Sequence, residues 1–268
     1  MIIDMHTHIF PEKIAERTLD TLAKTFHSEP FTKGTADSLA ESAAKAGIDL
    51  SVILPVVTKP KQFESITRFA EQFRSKPLYS FGGIHPASEN YKEELRYLKD
   101  HGFIGIKLHP DYQGMYFNDI RMKRVIDFAS ELGFVIVTHA GYDPLSPDDI
   151  HCTPQMAQEV IHEVRPEKLV LAHMCGGMMW DEVEEYILGE NVYLDTAYVL
   201  RRIPQERLMK MFERHSYDKI LFATDSPWSD QKEDADYLRA LPVTEEQRDK
   251  IAWKNAADLL QLEKQKII

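Results

Sequence analysis

Two histidines at alternate positions, in the segment Ile2-Ile3-Asp4-Met5-His6-Thr7-His8, carry the chemistry that is easiest to read in this chain. Side chains alternate along a strand, so Asp4, His6 and His8 share one face. Two imidazoles at the end of a buried strand make half of a divalent-metal site. Further histidines and one aspartate close other apolar runs: His85, His109, His139, His173 and Asp225. Imidazole nitrogens and a carboxylate oxygen suit zinc or a similar ion, and His6, His8, His139 and Asp225 supply four such donors. A cation there lowers the pKa of a bound water from about 15.7 to about 7. Asp225 can touch the metal and accept the water's proton, while His173 bonds to a substrate oxygen or orients the water. Asp4 lies one layer below His6 as support for it.

Such a constellation requires elements that bring distant residues to one place. Apolar segments with strand character lie at 2–8, 50–57, 78–85, 104–109, 134–139, 169–173, 192–196 and 220–225. Between them run segments of helical periodicity at 36–46, 63–73, 91–98, 121–132, 154–164, 206–212 and 235–238, with a last helix near 245–262. Strand–helix alternation predicts parallel βαβ units. Eight of them in a chain of this length predict a single (β/α)8 barrel, a TIM barrel, over residues 1–268. A doubly wound sheet would carry a glycine-rich turn after its first strand; here Ile9-Phe10-Pro11 follows. Parity agrees with a barrel. Val135, Val137 and His139 share a face, as do Leu169, Leu171 and His173, and Leu221, Ala223 and Asp225, so apolar residues fill the barrel and a polar one caps each strand.

Composition narrows the function classes. Of 268 residues, 43 are Asp or Glu and 32 are Lys or Arg, a net charge of −11, the wrong sign for a nucleic-acid footprint. The two cysteines, Cys152 and Cys175, build no disulfide framework. The opening apolar stretch is short and carries Asp4, unlike a signal peptide, and no window of ~20 apolar residues predicts a membrane span. The expectation is a cytoplasmic enzyme of a small molecule. A lone strand-end histidine such as His85 reads more simply as a turn cap, and His215 reads as solvent-facing. The methionines 174, 178 and 179 read as packing residues.

Taken together, Asp4-x-His6-x-His8, Gly83-Ile84-His85-Pro86, Gly105-Ile106-Lys107-Leu108-His109-Pro110, Thr138-His139-Ala140-Gly141, Ala172-His173, Thr224-Asp225-Ser226-Pro227-Trp228 and the closing Asn255-Ala256-Ala257-Asp258-Leu259-Leu260 resemble the amidohydrolase superfamily. The group most resembled is the amidohydrolase-related one that includes aminocarboxymuconate-semialdehyde decarboxylase. The resemblance implies a barrel with one divalent ion, zinc or else manganese, on His6, His8, His139 and Asp225, with His173 beside the bound water. Lys107 is either an ammonium that binds a substrate carboxylate or, if carbamylated, a bridge to a second metal. His109, Arg201 and Trp228 are further candidates for substrate binding, Arg201 through a bidentate carboxylate contact. Hydrolysis of an amide, ester or lactone of a small carboxylated compound is the first reading, and metal-dependent decarboxylation is the alternative. TatD-type nucleases are also similar, but their strand-four glutamate is absent here. A non-enzymatic barrel conflicts with an open metal shell. A homodimer is what the family suggests.

Overall fold

A computed structural model of the chain describes residues 1–262. Its strands are β1 (Ile3–Thr7), β2 (Leu50–Ile53), β3 (Arg74–Ser75), β4 (Leu78–Ser80), β5 (Gly82–Gly83), β6 (Gly105–Leu108), β7 (Val135–Thr138), β8 (Leu169–Leu171), β9 (Tyr193–Asp195) and β10 (Ile220–Leu221). The described chain divides into two compact units. Among the described residues, one comprises 1–53, 73–79 and 195–262, and the other 54–72 and 80–194.

In the first unit β1 pairs in parallel with β2, Ile3 opposite Leu50 and Thr7 opposite Ile53. One more residue lies on β1 than on β2 between Asp4 and Thr7, a bulge beside His6 of the kind that re-aims a side chain. On its other side β1 meets the segment after β10: Met5 N–H donates to Phe222 O, Asp225 N–H to His6 O, and His8 N–H to Ser226 O. That segment in turn receives Thr196 and Tyr198, whose amides donate to Leu221 O and Thr224 O. Helices Glu12–Phe26, Ala36–Ala46, Gln205–His215 and Gln231–Ala240 belong to this unit. The first of them was not legible in the sequence: only Ala15 and Leu19 are buried, too narrow an apolar stripe to stand out. His215 is buried there, correcting its expected exposure, because the last turn of its helix packs inward along with Met211 and Phe212. The expected final helix is interrupted by a π turn at Lys250–Lys254. After it, Asn255 Nδ2 donates to Tyr217 O at 2.7 Å and Ile220 O at 2.8 Å, tying the closing motif to the entry of β10.

The second unit is a parallel run in the order β9-β8-β7-β6-β5. Helices Phe63–Ala70, Tyr91–Asp100, Ile120–Glu131, Pro154–Val164 and Trp180–Tyr186 alternate with its strands. Ile106, Ile136, Val137, Val170 and Leu171 are fully buried, as expected for strands covered on both faces. Gly105 is required by packing, since a Cβ there would lie 2.2 Å from the Phe81 ring. The expected strand 78–85 is broken into β4 and β5, which fall in different sheets. Met178 is 76% exposed, so of the three methionines read as packing residues it does not pack. No helix among the described residues is long and apolar enough to cross a membrane.

Candidate metal centre

In the first unit His6, His8 and Asp225 converge. His6 Nε2 and His8 Nε2 are 3.1 Å apart, and Asp225 Oδ1 lies 3.5 Å and 3.3 Å from them. Separations of this size are the edges of a tetrahedron with bonds of about 2.0 Å, the length of zinc–nitrogen bonds. The donor set therefore fits a small divalent cation. Asp195, fully buried at the end of β9, faces His6 Nδ1 at 2.9 Å. This carboxylate holds the proton on Nδ1 and leaves the Nε2 lone pair for an ion. The sequence reading missed Asp195, although its place at the end of a strand that runs Tyr193-Leu194-Asp195 was a usable signal.

The backbone delivers these groups under strain. Asp225 has φ +67°, in the left-handed region, where the turn after β10 throws its carboxylate toward the histidines. Asp4, beneath, accepts from His6 N–H, Thr224 N–H, Thr224 Oγ1–H and Gln231 Nε2–H, and so ties β1 to the turn that carries Asp225. Burial pushes its carboxyl up to about 7 against the pull of those four donors.

His139 and His173 belong to the second unit, where His139 Nδ1 and His173 Nε2 are 3.1 Å apart. His173, Met174 and Cys175 all have positive φ, 57°, 53° and 61°. Three successive non-glycine residues there cost on the order of 1–3 kcal/mol each, tolerated where the surroundings enforce it. The enforcement is visible at Gly141 (φ +89°), where a Cβ would lie 2.2 Å from the Gly176 carbonyl carbon. The two loops thus touch backbone to backbone. Around His139 stand His109, stacked on it at 4.3 Å and 8°, and Asp143, whose Oδ2 is 3.7 Å from both Nε2 atoms. Asp111 Oδ2 is 3.8 Å from His139 Nε2.

Lys107 is buried on β6, one of the largest side chains fully out of contact with water. His109 caps the helix Pro110–Gln113 and stacks on Tyr112. Arg201 is engaged by Asp234 at 2.6 Å and Glu233 at 2.7 Å. Trp228 is buried edge-on against Phe26. His85 Nδ1 accepts from Ala87 N–H, and burial lowers its pKa, which fits a neutral turn cap. Burial also raises the Cys152 and Cys175 thiols, so neither is a ready thiolate.

The family model described as "Amidohydrolase" matches residues 3–262. No curated protein matches the chain. Among solved structures, an uncharacterized TIM-barrel protein from Bordetella bronchiseptica is similar with TM-score 0.78 and 19% identity, over 97% of this chain and 98% of that one. A 2,6-dihydroxybenzoate decarboxylase from Rhizobium aligns with TM-score 0.72 and 19% identity, over 98% and 99% of the two chains. A dihydroxybenzoic acid decarboxylase from Polaromonas sp., with bound manganese and the inhibitor 2-nitroresorcinol, aligns with TM-score 0.72 and 17% identity, over 98% and 97%. These likenesses establish the fold, a (β/α)8 barrel.

Proposed function

The chain belongs to the amidohydrolase family, and from that premise we propose that it is a metal-dependent decarboxylase of a small carboxylated compound, with hydroxybenzoates as the first class to test. The observation that carries the reading is the convergence of His6, His8 and Asp225, with Asp195 fixing the tautomer of His6. Three protein ligands and an open position are the pattern of a catalytic rather than a structural ion. Two imidazoles and a carboxylate are donors that suit zinc or manganese. The resemblance offers His139 as a fourth ligand, but the three residues already suffice for a catalytic shell. The family match, continuous over both compact units, supports one functional domain. Decarboxylase neighbours with nearly full mutual coverage favour decarboxylation over the hydrolysis expected first.

A divalent cation bound there would supply a Lewis-acidic anchor for the substrate's oxygens. The chain's own residues do the rest. In decarboxylation the C–C bond to the carboxylate breaks, carbon dioxide leaves, and the electron pair left on carbon takes a proton. Asp225 is the group assigned to deliver that proton, and His173 to hold a substrate oxygen. Lys107, as an ammonium, would counter the charge of the carboxylate before it leaves.

The test is carbon dioxide release from a panel of hydroxybenzoates, run beside hydrolysis of carboxylated lactones and esters. We expect release by the wild-type chain, loss in H6A, and a fall of roughly 10²-fold or more in D225N. Lactone or ester turnover without carbon dioxide release would replace the decarboxylase reading with the hydrolytic one.

A further inference from the structure

We propose that Arg202 binds a carboxylate of the substrate other than the one that leaves, so that the preferred substrates are dicarboxylic acids. The inference deepens the reading above and rests on it for the metal centre that meets the first acidic group. The sequence points to Arg201 for a bidentate carboxylate contact, but Asp234 and Glu233 already occupy that side chain. Its neighbour Arg202 is exposed. Asp234 lies near enough to feel the Arg202 charge, yet its hydrogen bond is to Arg201. Among the described residues the hydrogen bonds of Arg202 leave from one nitrogen, Nη1, and end on Tyr198 O and Ser229 Oγ.

The guanidinium is held in place before any ligand arrives. Its Cζ lies 3.6 Å over the centre of the Tyr198 ring. An arginine already stacked and bonded loses little freedom when it takes up a ligand. Tyr198 is itself fixed at φ +65°, a position that costs a non-glycine residue on the order of 1–3 kcal/mol. Its N–H donates to Thr224 O, next to Asp225. Asp195 adds a second tie, since its Oδ1 accepts from Ala197 N–H at 3.1 Å while its Oδ2 faces His6. Ser229 is buried on the turn after Asp225, where Trp228 N–H donates to Asp225 O. The two anchors of Arg202 therefore stand on the turns that carry Asp195 and Asp225, both groups of the metal centre. The remaining edge of the guanidinium, Nε–H with Nη2–H, is the fork that takes a carboxylate bidentately. An anion on that edge is held beside the metal ligands, not by them, so the molecule that reaches both needs two acidic groups.

Isophthalate and benzoate share a ring and differ by one carboxylate, so they are the probes, each titrated calorimetrically into the zinc-loaded full chain. We expect isophthalate to bind roughly tenfold or more tightly than benzoate, as a charge-assisted contact warrants. In R202Q the preference should shrink to about threefold or less, through loss on isophthalate alone with benzoate unchanged. R202K, a point charge without the fork, should fall between the two. Equal affinity for the probes in the wild-type chain, or binding of neither, overturns the proposal. So does a preference that R202Q leaves intact, or an equal fall for both probes, which would make Arg202 structural. Should circular dichroism show R202Q unfolded, R202K decides, and a preference as large as that of the wild-type chain overturns the proposal. The readout is binding, so its failure is separate from that of the decarboxylase reading. No carbon dioxide release from hydroxybenzoates or hydroxyisophthalates would remove that reading, while a preference that depends on Arg202 would stand.

Discussion

At the scale of single residues, the difference between a histidine pair and a metal centre is Asp195. Its carboxylate decides which nitrogen of His6 carries the proton. Replacing it with asparagine keeps the shape but removes the charge that favours the Nδ1–H tautomer. Partners of this kind typically contribute 10–100-fold in metal affinity. We expect D195N to weaken zinc binding within that range, measured by competition with a chromophoric chelator, with little change in the far-ultraviolet spectrum. Unchanged affinity would mean that Asp195 is only a structural ion-pair partner. Most of the cluster was legible in the sequence, because metal ligands must be His or acidic residues and strand parity tells which of them share a face. Asp195 stands alone at its strand end, with no histidine beside it to mark it as part of the cluster. Arg201 shows the converse limit: its type permits a substrate contact, but its partners Asp234 and Glu233 come from a helix beginning thirty residues later, a pairing no local pattern discloses.

At the scale of elements, the loops that close strands are built by backbone contact as much as by side chains. Gly141 and Gly176 approach so closely that a Cβ on Gly141 would lie 2.2 Å from the Gly176 carbonyl carbon. G141A would therefore meet both a positive φ and a clash with backbone that has no room to yield. We expect it to destabilise the chain by on the order of 2–4 kcal/mol, read from urea denaturation, with His173-dependent turnover falling more than the stability loss accounts for. A G141A chain of wild-type stability and turnover would show the contact to be slack. The strands and most helices were readable from alternation and periodicity. The antiparallel β3, the four-residue helix after His109 and the helix Glu12–Phe26 were not. Two-residue strands carry no period, a four-residue helix is too short for one, and a helix with two buried positions has hardly any apolar face.

At the scale of the whole molecule, the distribution of acid is the feature that metal binding explains. A chain of net charge −11 buries Asp4, Asp111, Asp143, Asp195 and Asp225. Buried carboxylates oppose folding unless hydrogen bonds or cations compensate them. Asp4 has four donors and Asp195 an imidazole, whereas Asp225 faces the Nε2 atoms of His6 and His8. Ions held only by the native state then stabilise it by mass action, about 4 kcal/mol for each ion present at a thousand times its Kd. In a chain of this size 1 kcal/mol moves Tm by roughly 2–4 °C. Dialysis against a chelator should therefore lower Tm by on the order of 10 °C for one ion, and restoring zinc or manganese should recover it. The H6A/H8A chain should start lower and lose little on chelation, since the ligands of the His6–His8–Asp225 ion are gone. Equal melting of chelated and metal-loaded wild-type protein would instead mean that the buried acids are neutralised by protons, and the carboxylates of this fold would have to be read as a hydrogen-bonded core rather than as ligands.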